Sequence, residues 1–271
     1  MTDQELDWRG LNRSHWDERV PIHLSGEFYD VAGFVRHPDV LRAFEVTEVG
    51  DVSGKRLVHL QCHIGLDSLS WAARGASVVG LDFSVPAVEA AQAIAAEVKA
   101  GARFVAADVY EAVEALGGET FNVVYTGLGA LCWLPDLTRW ARVVERLLAP
   151  GGFLYLVEFH PFAHTLDDAT GRTVAFDYFD EGPHVWTDPG SYADPAAATR
   201  KNTTVQYEHR LGSVISAVAG AGLRIDFLHE HDMTLFRQFA SLVRGSDGFR
   251  LREGLPRVPL MYSLRAAKPC Q

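Results

Sequence analysis

The stretch "LVHLQCHIGLDSLSWAARGASVVGLDFS", residues 57–84, has the form of a nucleotide-binding βαβ unit. A short apolar run leads into a turn, a helical pattern follows, and a second apolar run ends in an acid, Asp82. Glycines normally fill such a turn, because they let the backbone approach a ligand closely. Here the turn at 61–65 reads QCHIG, and Gly65 is its single glycine. The stretch therefore predicts a ligand site with an altered first turn.

The alternation of apolar runs and helical patterns continues beyond this unit. Strands are predicted at about 57–61, 77–82, 103–107, 121–126, 152–158, 223–230 and 258–266, and helices at about 67–74, 86–99, 110–116 and 207–221, with another between Pro135 and Pro150. This order predicts an α/β fold with a doubly wound, mostly parallel sheet. Residues 1–50, with weak helical patterns near Leu11–Val20 and Pro38–Val49, are predicted to form an N-terminal cap on a domain at 51–271. The aromatic and turn-rich segment at about 159–205 is predicted to be an insertion.

Composition excludes several classes of partner. The net charge of −10, without a basic stripe, argues against binding to a nucleic-acid backbone. Three scattered cysteines form neither a disulfide framework nor a CxxC metal site. The N-terminus lacks the pattern of a signal peptide, and no run of about 18 apolar residues occurs. We therefore expect a cytoplasmic protein without membrane association, and a homodimer is left open.

Two acids end the second and third predicted strands, where a doubly wound sheet binds its ligand. Asp82 would accept hydrogen bonds from ribose hydroxyls, and the alternative is that it caps the following helix. Ser84, just before Pro86, can serve as that cap instead. Asp108 would accept from an adenine amino group, and its alternative is a cap of the short helix near residue 110.

Several segments, taken together, resemble the class I S-adenosylmethionine-dependent methyltransferase family. They are "LVHLQCHIG", "VVGLDFSVPAVEAA", "FVAADV", "FNVVYTGLGALCWLPD", "RVVERLLAPGGFLYLVEF", "LGSVISAVAGAGLRIDFLHEHD" and "PLMYSLRAAKP". Each segment alone is a weak signal, whereas their order and spacing are specific. The resemblance implies a Rossmann-like, seven-stranded sheet with an antiparallel last strand. It also implies S-adenosyl-L-methionine as cofactor and S-adenosyl-L-homocysteine as product.

The resemblance carries over a set of cofactor-binding residues. They are Gln61, His63, Gly65, Asp82, Phe83, Asp108, Val109, Gly127, Leu128 and, from the cap, Trp16. The sequence departs from the family at His59, which stands where the family has an acid, and at Gln61 and His63, which stand at the first two glycines. A bulky His63 would lie near the methionine part of the cofactor.

Two alternatives use the same βαβ unit. An NAD-dependent oxidoreductase would need GxGxxG, because a pyrophosphate requires close approach of the backbone at the helix N-terminus. A single glycine fits that requirement poorly, and a cofactor without phosphate tolerates the loss better. The second alternative is a catalytically silent protein that binds an adenosyl cofactor.

The substrate side is predicted from strand ends and from aromatic residues. Methyl transfer needs alignment and exclusion of water, and a base only where the acceptor must lose a proton. His160 is the predicted base or substrate anchor. The predicted substrate-binding residues are Trp133, Tyr178, Trp186 and Tyr29, around a small organic acceptor whose reacting atom is oxygen or nitrogen. Plain burial is the alternative for these aromatic residues, and packing is favoured over nucleophilic catalysis for Cys132.

Histidines also raise the possibility of a metal. His229 and His231 are two residues apart on a predicted strand, beside Asp232, and would share one face. No second cluster completes a site, and that strand is predicted to lie inside the sheet. We therefore predict no metal.

Overall fold

The computed structural model of the protein describes residues 7–270, so residues 1–6 of the predicted cap and Gln271 lie outside the described part. The helices are α1 (Trp8–Ser25), α2 (Val31–Arg36), α3 (Ala43–Val49), α4 (Leu66–Ala73), α5 (Val85–Glu97), α6 (Ala112–Ala115), α7 (Leu137–Leu147) and α8 (Leu211–Gly220). The strands are β1 (Arg56–Leu60), β2 (Ser77–Asp82), β3 (Arg103–Ala106), β4 (Phe121–Thr126), β5 (Leu148–Phe159), β6 (His184–Thr187), β7 (Thr203–Gln206), β8 (Arg224–His231), β9 (Met233–Thr234), β10 (Leu242–Arg244), β11 (Phe249–Leu251) and β12 (Met261–Ala267). Strands and helices alternate from β1 to β5, as predicted.

The main sheet has seven strands in the order β3-β2-β1-β4-β5-β12-β8. Strand β12 runs antiparallel to both of its neighbours, and the pairs from β3 to β5 are parallel. The predicted fold class, a doubly wound sheet with an antiparallel last strand, is confirmed. The strand order reverses between β1 and β4, and ligands bind at such a reversal, beyond the carboxyl ends of the strands.

Helices cover both faces of this sheet, which explains why its strands are almost continuously apolar. Alternate residues of β1 face opposite sides, with Leu57 packing in the layer of Trp71 and Val58 in the layer of Trp140. All four side chains are buried. The site-bearing edge of the sheet is therefore held by a rigid core on each face.

The N-terminal cap is longer and better anchored than the sequence pattern indicates. Helix α1 begins before the predicted helix and continues through Pro21 to Ser25. The buried Asn12 amide donates to the Val205 carbonyl and accepts from the Val205 N–H, each at 2.8 Å. Helix α1 is thereby joined to β7, at the end of the insertion. The division into a cap at 1–50 and a domain at 51–271 stays a prediction.

Three features of the outer segments differ from the prediction. Helix α2 and the small sheet β10-β11-β9 were not predicted. The insertion is mostly irregular, with a hairpin in which His184 of β6 pairs with Gln206 of β7. The prediction that the strand carrying His229 lies inside the sheet is wrong, because β8 is an edge strand. Between residues 7 and 270, no helix is both long enough and apolar enough to cross a lipid bilayer.

Candidate active site

The first turn keeps a glycine-like backbone although two of its glycines are replaced. Gln61 has φ 58°, His63 has φ 50° and Gly65 has φ 79°, so all three adopt the left-handed region. For a residue with a Cβ this conformation costs about 1–2 kcal/mol. The turn therefore holds strained backbone at two positions and presents two side chains where the family has none.

Asp82, at the end of β2, fixes this turn. Its carboxylate accepts from the His63 N–H at 2.8 Å and from the Ser84 N–H at 2.9 Å. Burial raises the pKa of Asp82 to about 6, while these two hydrogen bonds act in the opposite direction. The Ser84 hydroxyl accepts from the Ala87 N–H and caps α5. The alternative in which Asp82 caps that helix is therefore wrong.

Asp108, beyond β3, contacts both its own turn and α1. One carboxylate oxygen accepts from the Tyr110 N–H at 2.8 Å, so the alternative role of Asp108 as a cap is observed, and its predicted contact with adenine stays a prediction. The other oxygen lies 2.8 Å from Arg9 Nε of α1. A second α1 cation, Arg13, lies 5.8 Å from the centre of the Phe83 ring. Helix α1 thus covers the edge of the sheet between the two acids, and Val109 is buried.

Aromatic side chains from separate parts of the chain meet above the first turn. This set, called the aromatic wall below, consists of Trp16, His23, Tyr29, His63, Trp133 and Tyr192. The Trp16 ring lies 5.4 Å from His63 and 5.3 Å from Trp133, centre to centre. The structure therefore brings together four residues that the sequence singled out, namely Trp16, Tyr29, His63 and Trp133. His23 and Tyr192 were missed.

Hydrogen bonds connect the aromatic wall across three segments. His23 of α1 bonds to His63 at 3.0 Å through one ring nitrogen and to the Ser191 hydroxyl at 2.8 Å through the other. The hydroxyl groups of Tyr29 and Tyr192 also form a hydrogen bond. Burial lowers the pKa of His63 to about 3 and that of His23 to about 4. Both rings are neutral at physiological pH, so neither would repel a cationic ligand.

The loop after β4 is held in place by Glu158 of β5. The buried Glu158 carboxylate accepts from the N–H groups of Gly129 at 2.8 Å, Ala130 at 3.0 Å and Leu131 at 2.9 Å. Gln61 of the first turn donates to the Ala130 carbonyl at 2.9 Å. The loop at 127–131 and the first turn are therefore fixed relative to each other. Burial raises the pKa of the Cys132 thiol in this loop, which agrees with packing rather than nucleophilic catalysis.

The remaining predicted site residues lie elsewhere. His160 accepts from the Phe162 N–H at 3.1 Å through Nδ1, and its Nε2 lies 3.0 Å from Glu230. His160 and Tyr178 line an apolar cavity of about 730 Å³ formed by the insertion and residues 257–259. Trp186 is 47% exposed on β6, and its recorded aromatic neighbour is His184. The predicted site thus divides into the aromatic wall, this cavity and an exposed hairpin residue.

The histidine pair on β8 is engaged with other groups. His229 bonds to Glu48 at 2.7 Å, and His231 bonds to Ser263 at 3.0 Å. Within residues 7–270, His, Cys, Asp and Glu side chains form no group of three that could hold a metal ion.

Comparison with known proteins finds a family match in the part of the main sheet between β1 and β5. Residues 58–154, which carry the first turn, both strand-end acids and β4, match the family described as "Methyltransferase domain". Residues 58–154 thus carry a methyltransferase domain. A methyltransferase needs a methyl donor, so this match supports S-adenosylmethionine rather than NAD as the cofactor. No match was found among curated protein sequences.

Solved structures show the same fold. An S-adenosylmethionine-dependent methyltransferase from Mesorhizobium loti is 21% identical, with a TM-score of 0.58, over 88% of this chain and 99% of that one. Magnesium protoporphyrin IX methyltransferase from Synechocystis, with bound S-adenosylhomocysteine, is 16% identical, with a TM-score of 0.54, over 96% and 97%. A glycopeptide N-methyltransferase complexed with S-adenosylmethionine is 18% identical, with a TM-score of 0.54, over 83% and 92%. These likenesses extend over nearly the whole methyltransferase and show its fold.

The methyltransferase has a further acid at this site that sequence reasoning missed. A Cβ atom placed on Gly127 would lie 3.6 Å from Asp67 Oδ2 and 3.5 Å from His59 Nε2. Within residues 7–270, no hydrogen bond or ion pair to the Asp67 carboxylate is present. Its neighbour Glu45 is bonded to the Tyr125 hydroxyl at 2.6 Å. Burial and the nearby Glu45 carboxylate raise the pKa of Asp67 to about 7.

Removing this charge should stabilise the ligand-free methyltransferase at alkaline pH. The folded-state pKa of Asp67 lies above its ordinary value of 3.8, so the folded protein binds more protons between these values and loses stability as pH rises through them. The Glu45 carboxylate also raises the pKa of Asp67, whereas the Arg42 guanidinium lowers it. From about pH 4 to about pH 7, Asp67→Asn should gain about 2 kcal/mol relative to the parent, half of what the full shift would give because the side chain is partly exposed. Urea denaturation of both proteins measures the difference, and a difference that does not change with pH would contradict it.

The strained backbone at His63 gives a second test. His63→Gly should be more stable than His63→Ala by about 1 kcal/mol, because alanine keeps the left-handed strain and glycine relieves it. Urea denaturation measures both variants, each of which has lost the same ring. Alanine as stable as glycine would show that the turn relaxes. Both variants should also bind S-adenosylhomocysteine about tenfold more weakly, a loss of about 1.4 kcal/mol, since the aromatic wall loses a member.

Proposed function

We propose that the chain transfers a methyl group from S-adenosylmethionine to an oxygen or nitrogen atom of a small organic molecule. The observation that carries this proposal is the aromatic wall, to which α1, the first turn, the loop after β4 and the insertion all contribute. A site lined by aromatic side chains suits a small organic acceptor. The net charge of −10 adds a further argument against nucleic acid.

The strand-end acids support the proposed cofactor contacts. A carboxylate has about four acceptor positions, so Asp82 can accept from ribose hydroxyls while it holds the first turn, and Asp108 can accept from the adenine amino group. Phe83 and Val109 would flank the adenine, and Gly65 would let the backbone approach the adenosine. Asp67, in the first turn of α4, would repel a pyrophosphate at this helix N-terminus. This charge pattern favours a cofactor that carries cations rather than phosphates.

The chemistry asked of the protein is modest. The cofactor supplies a methyl group on a sulfonium, which is already an activated leaving group. Trp16 would attract that positive charge through its ring, and the neutral His23 and His63 would not repel it. The aromatic wall would exclude water and align the acceptor, with Tyr29 and Trp133 as its proposed contacts.

The other substrate-side assignments stay predictions. His160 as base or anchor and Tyr178 as a substrate contact are supported by their common apolar cavity. Trp186 would reach an acceptor only at the outer surface of the insertion. A cytoplasmic location and a homodimer also stay predictions, and light scattering measures the latter.

Two measurements test the function. In a thermal-shift assay, the melting temperature should rise with S-adenosylmethionine and with S-adenosylhomocysteine. It should stay unchanged with NAD. The chain is then incubated with S-adenosylmethionine labelled in its methyl group and a metabolite extract. Label should appear in a small molecule other than S-adenosylmethionine, separated from it by chromatography. Label in protein or nucleic acid would overturn the proposed acceptor class, and stabilisation without any methyl transfer would favour a silent cofactor-binding protein.

A further inference from the structure

The position that is acidic in the family cannot supply a negative charge here. His59 is buried, and burial lowers the pKa of its ring to about 3, so the ring is neutral. Its Nδ1 bonds to the Ser68 hydroxyl of α4 at 2.8 Å. The methyltransferase thus lacks a charge at the end of β1, next to the first turn.

A carboxylate returns to the same place from α4. Asp67 adjoins Ser68, and both Asp67 Oδ2 and His59 Nε2 lie within 3.6 Å of the same point beside Gly127. Leu66 and Leu69 are buried and fix this turn of α4 in the core. The Asp67 side chain is itself only partly buried.

The acceptors at this point lack donors. The Asp67 carboxylate has no hydrogen-bond or ion-pair partner within residues 7–270, and neither has the buried Oε1 atom of Gln61. A carboxylate removed from water needs a cation or several donors. An ammonium group supplies one positive charge and three N–H donors. The backbone beyond β4, at Gly127 and Leu128, adds carbonyl acceptors that such a group could share.

We propose that Asp67 binds the ammonium group of the methionine part of the cofactor, in place of the acid that the family carries at position 59. This assignment rests on the proposed cofactor site. It explains why His59 is tolerated, because the negative charge comes from α4 instead of β1. It also accounts for a carboxylate that the fold leaves without a partner.

The test compares two ligands that differ in the amino-acid part. Isothermal titration measures the affinity for S-adenosylhomocysteine and for 5′-methylthioadenosine, which keeps the adenosine and the thioether but has no ammonium or carboxylate. Asp67→Asn should weaken binding of S-adenosylhomocysteine about 10- to 100-fold, as expected for a charge-assisted hydrogen bond. Its affinity for 5′-methylthioadenosine should stay within about twofold of the parent's, because that ligand does not reach Asp67.

Glu45→Gln is the matched control, since it removes a buried charge beside Asp67 but not at Gly127. It should change the affinity for S-adenosylhomocysteine by less than about threefold. Equal weakening of S-adenosylhomocysteine binding by both variants would indicate a general electrostatic effect of nearby charges and would overturn the assignment. So would an Asp67→Asn variant that binds S-adenosylhomocysteine as tightly as the parent, or one that loses both ligands equally. A parent chain that binds neither ligand would overturn the cofactor site itself, and Asp67 with it.

Discussion

Asp82→Ala is expected to bind S-adenosylmethionine and S-adenosylhomocysteine about 1000-fold more weakly than the parent, because two hydrogen bonds to a charged acceptor are lost at about 2 kcal/mol each. The buried Asp82 carboxylate is the proposed acceptor for the ribose hydroxyls. It also holds the His63 and Ser84 N–H groups, so the first turn loses its anchor in the same variant. The variant thus loses both the contact to the ligand and the anchor of the first turn. For this reason the substitution should have the largest effect on binding.

Loss of structure must be separated from loss of contact. Asp82→Asn keeps the shape and one acceptor for the turn, and it should still bind at least about 100-fold more weakly. Asp136→Ala is a control that removes an N-cap from α7, where the carboxylate accepts from the Arg139 N–H at 2.8 Å. The control should lose about 1 kcal/mol of stability and keep full affinity. Circular dichroism measures whether each variant is folded, and titration calorimetry measures its affinity. A folded Asp82→Asn variant with parental affinity would remove Asp82 from the site.

The main sheet was predictable because its strands are buried on both faces. Runs such as 77–82 and 121–126 are mostly apolar and bounded by turn residues, and their observed bounds match. Helix α2 and the small sheet β10-β11-β9 carry no such pattern, since they are short and only partly buried. The edge position of β8 was also beyond sequence reasoning, because strand order follows from how distant segments pair.

The site was predictable where local patterns mark it and not where distant segments meet. Asp82 ends an apolar strand and Asp108 follows one closely, which marks both from sequence alone. His23 and Tyr192 are separated by most of the chain, and their meeting depends on the joint between α1 and β7. Asp67 had one signal, an acid in the first turn of a helix after a glycine turn, but the same signal is ordinary at helix starts.

Gly65→Ala is expected to cost about 3 kcal/mol of stability and to displace the first turn. Its φ of 79° is unfavourable for any residue with a Cβ, which accounts for about 1 kcal/mol. The added atom would also lie 2.7 Å from the Phe104 ring and 2.9 Å from the Ala91 Cβ. Both neighbours are buried, in β3 and α5, so neither can move freely, and overpacking adds about 2 kcal/mol.

A second glycine separates the two costs. Gly117 has φ 63°, but a Cβ there would meet nothing within 4 Å, so Gly117→Ala carries the backbone strain alone. Urea denaturation should place Gly65→Ala about 2 kcal/mol below Gly117→Ala. Equal stabilities would mean that Phe104 yields, and would contradict the packing argument. The same comparison explains the altered turn. Gln61 and His63 carry the strain of a left-handed backbone. At Gly65 the Phe104 ring also occupies the space that any side chain would need.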